Sequence, residues 1–532
     1  MDPLATVRDA IPATRLPTRI SLRRLVRGRV VIAAIALLAT LALGAWAAWQ
    51  ILAPPLAGES PPLTPLAGVI YEDSAHNVNL WVPGESTPRR LLPPPTGSRQ
   101  VLSVASDGSA LAYLEAVPAP TPDAAGGPPD YALRVWRSGS APRTVPLPPG
   151  ATASLDVQFA AGGLLTILQH PTARRPGPLY IYDPDAGRLR LVAAALDSFA
   201  VSPGLVAYSA PLSDTTQGAL NPTRAVSVVA PAGSAPPAPV AQVRISTQAP
   251  HPVEFYYEPA HNAFFYSAAR PAGTQGNNSE IRLGMFLAAA PARVSDLPLQ
   301  TNDNSVLELS ATGRYLLYGG SLQQVAPGRT ARPGSGQARL AALDWSPAGL
   351  AIRADTPVEP PGFRLTSVTF VRGRDLLAIS ARRLVPRDLN GLSVPDTGAP
   401  VFLLYDPAST RLETVLDNAA AILLQAIDSR RLLLAVNAAN NGLQSLGPAT
   451  LVLAERVGGG WTAHTLGASF PVGTIIEFAG LLPGGKAALI YATGSAPTGP
   501  RTAFYTVPLD GSARTLAFAL PDDAFYVPVT VP

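Results

Sequence analysis

A polar turn followed by a short apolar run recurs along most of this chain, and that repeat limits the folds it can adopt. SDGSALAY at 106–113 is one copy, in which a glycine-containing turn leads into an apolar segment typical of a β-strand. Comparable apolar runs lie at 68–73, 110–116, 163–169, 204–210, 263–269, 314–320, 375–381, 431–437 and 487–493. Their spacing of about 41 to 61 residues is typical of propeller blades.

Each repeat continues with a second apolar run and a short polar tail, as in LYIYDPDAG at 179–187 followed by GRLRLV at 187–192. We interpret the unit as a four-stranded antiparallel meander. Its strands are apolar on both faces because each blade packs between two neighbours. SDGSALAY is then the hairpin between the first and second strands of a blade, and DPDAG at 183–187 is a turn between the third and fourth strands.

The repeats predict an all-β propeller over residues 66–532, with eight or nine blades. The first repeat lacks a preceding strand, and FYVPVTV at 525–531 would supply it and close the ring with both chain ends in one blade. Nine blades would be unusual, so eight, with one merged unit, is the preferred number. A two-domain β arrangement is the alternative.

Over roughly residues 66–520, the turn-and-strand pattern resembles the WD40-like repeats of TolB-type propellers, which also occur in relatives of prolyl oligopeptidase. The resemblance implies a propeller fold. TolB itself carries an N-terminal α/β domain that this chain lacks, so the partners of that family do not carry over. The sequence contains no G-x-S-x-G nucleophile elbow, which excludes the peptidase chemistry of the second group.

Residues 30–53 form an uncharged apolar segment of 24 residues. As a helix it would be about 36 Å long, slightly more than the roughly 30 Å hydrocarbon core of a bilayer. Trp46 and Trp49 lie near its far end, where indole rings favour the headgroup region. We therefore predict a transmembrane signal anchor at 30–53 and a proline-rich linker at 54–65.

The charge of residues 1–29 predicts the orientation of this anchor. This tail has seven arginines and two aspartates, a net charge of 7 − 2 = +5, whereas residues 30–532 have 33 basic and 34 acidic side chains. The positive-inside rule places the basic tail in the cytoplasm and the propeller outside, periplasmic or extracellular, as a single-pass bacterial membrane protein. The near-neutral propeller gives no reason to expect nucleic-acid binding. The alternative is a cleaved signal peptide, with AWA at 45–47 as the cleavage site.

The sequence offers no catalytic, metal or cofactor site. It has no cysteine, which excludes disulfides and thiolate chemistry. The densest group of possible ligands is HPVEFYYEPAH at 251–261, but an extended strand would place His251 and His261 about 30 Å apart. We interpret this segment as a hairpin and assign no catalytic residue, metal or cofactor.

Connection lengths predict which face of the propeller binds a partner. The connections between second and third strands are long, namely 115–131, 209–224, 269–280, 319–337 and 381–400, and they share a face with the blade-to-blade connections. Insertions on one face of a repeat scaffold often form the binding surface. Charged and amide groups concentrate in the loop 381–400, which makes five residues the predicted binding set: Arg382, Arg383, Arg387, Asp388 and Asn390.

Three functions are compatible with these features. The leading hypothesis is a membrane-anchored scaffold or module that binds a protein or polymer outside the cytoplasm. The second is an enzyme whose active site lies at the central channel, which a cluster of Asp, Glu, His or Arg at the channel mouth would favour. The third is a structural subunit of a larger membrane complex.

Overall fold

A computed structural model of the protein describes most of the chain from residue 63 onwards. The described ranges are 63–85, 87–95, 97–105, 107–117, 131–148, 154–170, 176–196, 198–212, 223–233, 235–245, 253–259, 261–272, 278–301, 307–318, 338–346, 349–389, 392–438, 447–494, 500–521 and 524–530. The predicted tail, the predicted spanning helix at 30–53 and most of the linker lie outside these ranges. Within them, no helix has the length and apolar character needed to cross a bilayer.

The described strands form nine four-stranded antiparallel sheets, which are the blades of the propeller. Blades 1 to 3 contain β1 (Leu66–Glu72), β2 (Val78–Trp81), β3 (Arg89–Arg90); β4 (Arg99–Val104), β5 (Ala110–Ala116), β6 (Tyr131–Arg137), β7 (Arg143–Thr144); and β8 (Leu155–Phe159), β9 (Leu165–Gln169), β10 (Gly177–Asp183), β11 (Arg188–Leu196). Blades 4 to 6 contain β12 (Ser198–Val201), β13 (Val206–Pro211), β14 (Thr223–Val229), β15 (Ala238–Arg244); β16 (Glu254–Glu258), β17 (Ala263–Ala272), β18 (Asn278–Leu287), β19 (Val294–Thr301); and β20 (Leu307–Leu309), β21 (Tyr315–Tyr318), β22 (Arg339–Ser346), β23 (Gly349–Pro357). Blades 7 to 9 contain β24 (Phe363–Phe370), β25 (Leu377–Leu389), β26 (Leu392–Asp406), β27 (Arg411–Asp417); β28 (Ala421–Ala426), β29 (Arg431–Val436), β30 (Pro448–Val457), β31 (Gly460–Val472); and β32 (Ile475–Leu481), β33 (Ala487–Thr493), β34 (Thr502–Pro508), β35 (Thr515–Leu520).

The last strand, β36 (Tyr526–Thr530), completes blade 1. It pairs antiparallel with β1, where Ile70 lies opposite Val527 and Tyr71 opposite Tyr526. The prediction that 525–531 closes the ring within blade 1 is therefore confirmed. The preference for eight blades is wrong, because each repeat keeps its own four strands and none is merged.

Each pair of neighbouring blades shares a hydrophobic core, which explains why the middle strands are apolar on both faces. In β5, for example, every residue except Ala116 is buried. Successive cores join blades 1 and 2, 2 and 3, and so on to 8 and 9. A further core joins blade 9 to blade 1 through Leu489, Phe504 and Leu66, so the blades form one closed ring. The two-domain alternative is therefore wrong.

The turn chemistry predicted from the repeat is confirmed. In the β4–β5 turn, the Asp107 carboxylate accepts the Ser109 N–H at 2.9 Å. Gly108 has a φ of +70°, and a Cβ there would lie 2.9 Å from a methyl carbon of Val529 on the closing strand. Glycine is thus needed both for the turn and for its contact with blade 1. The DPDAG turn joins β10 to β11, as predicted, and the Asp183 carboxylate accepts the Asp185 N–H at 2.9 Å.

Candidate functional site

The meander divides the connections between two faces of the ring. We call the side that carries the first-to-second and third-to-fourth turns the turn face. We call the side that carries the second-to-third and blade-to-blade connections the loop face. A site on either face would therefore be assembled only from the two classes of connection on that face.

On the turn face, hydrogen bonds join the short turns of successive blades. A ring nitrogen of His261 in blade 5 lies 3.2 Å from the Thr312 carbonyl oxygen in blade 6. The Thr312 N–H donates to the Asp375 carboxylate in blade 7 at 3.0 Å. Arg374, also in blade 7, donates to the Ser429 carbonyl in blade 8 at 3.2 Å. The polar residues of these turns thus hold neighbouring blades together.

Two further blade junctions on the turn face are joined by arginine. Arg137 of blade 2 donates to the Gly163 carbonyl of blade 3 at 2.9 Å and pairs with the Asp185 carboxylate at 2.7 Å. Arg190 of blade 3 donates to the Ala230 carbonyl of blade 4 at 3.1 Å. Arg137, Asp185 and Arg190 therefore have a structural role at these two junctions.

On the loop face, the predicted binding loop at 381–400 is a β-hairpin, so the prediction of a loop is wrong. Strands β25 and β26 are 13 and 15 residues long and stay paired as far as Leu389 and Leu392. The two residues between them, Asn390 and Gly391, lie outside the described ranges. Asn-Gly strongly favours a two-residue hairpin, which is the physical reason for the difference.

Four of the five predicted binding residues lie on β25 of this hairpin, which we call the blade 7 hairpin (residues 381–400). At its base, Arg383 pairs with the Asp417 carboxylate at 3.0 Å, and its guanidinium lies 5.6 Å from the centre of the Phe363 ring. Arg382 donates to the Gly398 carbonyl at 3.4 Å. These two arginines therefore support the hairpin from within blade 7.

Two of the other three predicted residues lie farther along the hairpin. Arg387 and Asp388 pair through the backbone with Val394 and Ser393. Asn390 lies outside the described residues. Near the base, Leu384 and Val385 are 36% and 44% exposed, which gives the hairpin an apolar surface that the sequence reasoning did not identify.

A cavity of about 630 Å³ lies on the same face, at the seam where the ring closes. We call it the seam cavity. Its walls come from three separate parts of the chain: the β1–β2 turn at 72–76, blade 2 with the beginning of β4 at 98–101 and Tyr131 of β6, and the residues before β36, namely Pro521, Ala524 and Phe525. Sequence reasoning missed it, because only ring closure brings the last of these segments to the first two.

A carboxylate–imidazole pair lines the seam cavity. The Glu72 carboxylate lies 2.6 Å from His76 Nδ1, and the two side chains are 11% and 48% exposed. His76 has a φ of +58°, a conformation that non-glycine residues adopt rarely. Asp73 stabilises the turn: burial opposes ionisation, but hydrogen bonds from Asn77, Asn79 and the Ala75 N–H outweigh it and lower the pKa of the Asp73 carboxyl.

A buried ion pair lies at the wall of the cavity, which Arg99 lines. Arg99 and Glu115 are cross-strand partners on β4 and β5, and their charged groups lie 2.5 Å apart with side chains 2% and 5% exposed. Arg99 also donates to the Pro93 carbonyl at 3.0 Å, and Arg134 lies 3.1 Å from the second Glu115 oxygen. The Arg99 charge is therefore neutralised within the protein.

The first strands of the blades carry carboxylates that link neighbours. Glu308 on β20 accepts the Phe370 N–H at 3.1 Å and the Thr369 hydroxyl at 2.9 Å, while burial raises the pKa of its carboxyl. Glu477 on β32 accepts the Tyr526 hydroxyl of β36 at 2.7 Å. Among the described residues, no three His, Cys, Asp or Glu side chains are close enough to hold a metal ion.

Comparisons with known proteins add only structural similarities. No protein-family model matches the sequence, and no curated protein matches it. A eukaryotic initiation factor aligns at 13% identity and a TM-score of 0.44, covering 77% of this chain and 89% of that one. A putative TolB from Agrobacterium tumefaciens aligns at 14% identity and 0.25, covering 52% and 84%.

The β-propeller domain of the trilobed protease from Pyrococcus furiosus aligns at 6% identity and a TM-score of 0.32, covering 80% of this chain and 97% of that one. A prolyl endopeptidase is also similar, and the match spans 54% of its length. The class of protein, a closed nine-bladed β-propeller, is defined here by strand pairing and the series of cores described above. Such a fold is consistent with a binding or scaffold module.

Proposed function

We propose that this protein is a membrane-anchored binding module whose loop face holds a protein or polymer outside the cytoplasm. One observation carries the proposal: the two faces are built differently. The turn face joins blades through short, hydrogen-bonded turns, whereas the loop face carries the blade 7 hairpin and the seam cavity. A rigid scaffold with variable connections on one face is the usual arrangement for binding.

The proposed anchor is the apolar segment at 30–53, oriented by the basic tail at 1–29. The binding elements lie in different blades, so a partner that touched both would have to be macromolecular. A structural subunit of a membrane complex would use the same face. The enzyme hypothesis is less well supported, because the carboxylates of Glu308 and Glu477 bond to neighbouring blades.

Shortening the blade 7 hairpin tests the proposal. Replacing residues 384–397 by Asn-Gly would join Arg383 to Gly398 and leave the buried base of the hairpin intact. In crosslinked membranes, we expect the variant to lose the partner that wild-type protein retains, with little change in Tm. The matched control is a Gly-Ser insertion between Gly458 and Gly459 in a turn-face hairpin with open space around it. Loss of the partner in the control alone would contradict the proposal.

The anchor is tested separately by protease protection. Protease added outside spheroplasts should digest the propeller and spare the tail at 1–29, and the protein should stay in the membrane pellet after a carbonate wash. Recovery of a soluble mature chain that begins near Ala48 would instead establish the cleaved signal peptide.

A further inference from the structure

The seam cavity has the properties of a small-ligand site. Its volume of about 630 Å³ lies within the range of about 300–1,000 Å³ that ligand pockets occupy. Building on the proposed binding role of the loop face, we propose that this cavity binds a neutral, polyhydroxylated ligand, namely one or two rings of a carbohydrate. The polymer recognised by the loop face would then be a glycan.

Each charged group at the cavity already has a partner within the protein, which argues against an ionic ligand. Arg99 is paired with Glu115 at 2.5 Å, and Glu72 is hydrogen bonded to His76 at 2.6 Å. Both oxygens of the Asp73 carboxylate accept hydrogen bonds from the Asn77 amide, at 3.1 and 3.0 Å. A phosphate would find no uncompensated cation among these groups, and an ammonium group would have to displace existing donors.

The remaining polar groups suit hydroxyl ligands. When Glu72 accepts the Nδ1–H of neutral His76, the other imidazole nitrogen, Nε2, becomes an acceptor. The hydroxyls of Ser98 and Tyr131, 3.2 Å apart, can each donate or accept, and Gln100 adds an exposed amide. Sugar hydroxyls also act as both donors and acceptors, so this set matches them in a way that a purely cationic or anionic site would not.

Aromatic rings supply the apolar part of the site. Phe525 and Tyr131 both line the cavity and are half-buried. Carbohydrate rings present a polar edge of hydroxyls and an apolar face of C–H groups, and that face packs against aromatic rings. The seam cavity thus combines polar side chains with two aromatic rings, which matches the polar edge and the apolar face of a sugar ring.

Isothermal titration of the full-length protein tests the proposal. The detergent should be a polyoxyethylene ether, since maltoside and glucoside headgroups are themselves sugars. The probes are glucose, N-acetylglucosamine and their β1,4-linked dimers, with sodium phosphate and spermidine as ionic probes. We expect at least one sugar to bind and neither ionic probe to do so.

Two variants locate the binding in the cavity. His76→Asn removes the imidazole but tolerates the left-handed backbone, and Gln100→Ala removes an exposed amide. Each should weaken sugar binding about tenfold, the effect of losing one or two hydrogen bonds, while leaving Tm nearly unchanged. His464→Ala on the outer strand β31 is the matched control and should bind as wild type does.

Three outcomes would overturn the proposal: no sugar binds, sugars bind equally to wild type and to both cavity variants, or phosphate or spermidine binds in place of sugar. The protein with the shortened blade 7 hairpin should still bind the probe sugars. Loss of partner retention in that variant and absence of sugar binding in wild type are therefore separate results, so the proposed function and the proposed ligand class fail independently.

Discussion

At the scale of single residues, two sites with ionisable side chains removed from water lead to predictions: the Arg99–Glu115 pair and Glu308. Arg99 and Glu115 form an ion pair that is almost fully removed from water. Glu308 is a carboxyl held between two first strands by donors from the next blade. In each case, the change in the free energy of unfolding depends on whether the substitution leaves or removes a buried charge.

For the ion pair, Glu115→Met alone should lower the free energy of unfolding by about 3–5 kcal/mol, because the buried Arg99 charge then lacks its carboxylate partner. Arg99→Met alone should cost less, because Glu115 keeps Arg134 at 3.1 Å. The double variant Arg99→Met with Glu115→Met should cost less than the sum of the single changes. Urea unfolding of the four proteins measures this difference. As a control, Arg89→Ala should change stability by about 0–1 kcal/mol, since its pair with Glu85 is exposed. Strict additivity in the double variant would contradict the account.

For Glu308, burial raises the pKa of the carboxyl above its value in the unfolded chain. The stability that this group contributes is therefore fully present below the unfolded pKa of about 4.3 and is lost as pH rises through the folded pKa. Glu308→Gln should thus be more stable than wild type near about pH 8, and the difference should shrink towards about pH 4. Urea unfolding of both proteins at several pH values between about pH 4 and about pH 8 measures this difference in stability. A difference that is constant with pH would show that ionisation of Glu308 is not its cause.

At the scale of strands and turns, much of the architecture follows from sequence because the signals are local. The SDG and DPDAG turns and the apolar runs predict the meander, and the closing strand at 525–531 follows from the missing first strand of the first repeat. The blade 7 hairpin is harder to predict, because its polar residues and prolines are also typical of a loop. The signal that would have identified it is Asn390-Gly391, which favours a two-residue hairpin.

Strand pairing also leads to a prediction for substitutions at Gly284 on β18. It lies opposite Tyr266 of β17, and a Cβ there would lie 2.1 Å from the tyrosine ring. Gly284→Ala should therefore lower the free energy of unfolding by about 1–3 kcal/mol through overpacking. Gly204→Ala is the matched control, since nothing lies within 4 Å of a Cβ at that position. Equal stability of the two variants, measured by urea unfolding, would contradict the packing described for blade 5.

At the scale of the whole molecule, closure of the ring creates features that local sequence cannot specify. The seam cavity joins the β1–β2 turn to a connection more than 400 residues later in the chain. The blade number was equally hard to predict, because the preference for eight came from what is common among propellers. The pairing of β36 with β1 and the core between blades 9 and 1 create the cavity, and the nine separate sheets set the blade number.

Removing residues 525–532 should open the ring. Val529 is buried, and loss of such a side chain amounts to about 1.5–3 kcal/mol, to which the hydrogen bonds with β1 add about 1 kcal/mol each. We expect a lower Tm, a broadened unfolding transition and aggregation through the exposed edge of β1. Removing only residues 531–532 leaves β36 complete and is the control. Unchanged cooperative unfolding after the longer truncation would contradict a ring held closed by β36.

The most direct test of the claim that the loop face contacts the partner uses the absence of cysteine from the chain. Single cysteines placed at Ser74 and Val385 on the loop face, and at Ser140 and Ser512 on the turn face, can each carry a photocrosslinker in the membrane. The account predicts crosslinked partner from Ser74→Cys and Val385→Cys, and none from Ser140→Cys or Ser512→Cys. Crosslinks confined to the two turn-face positions would contradict it.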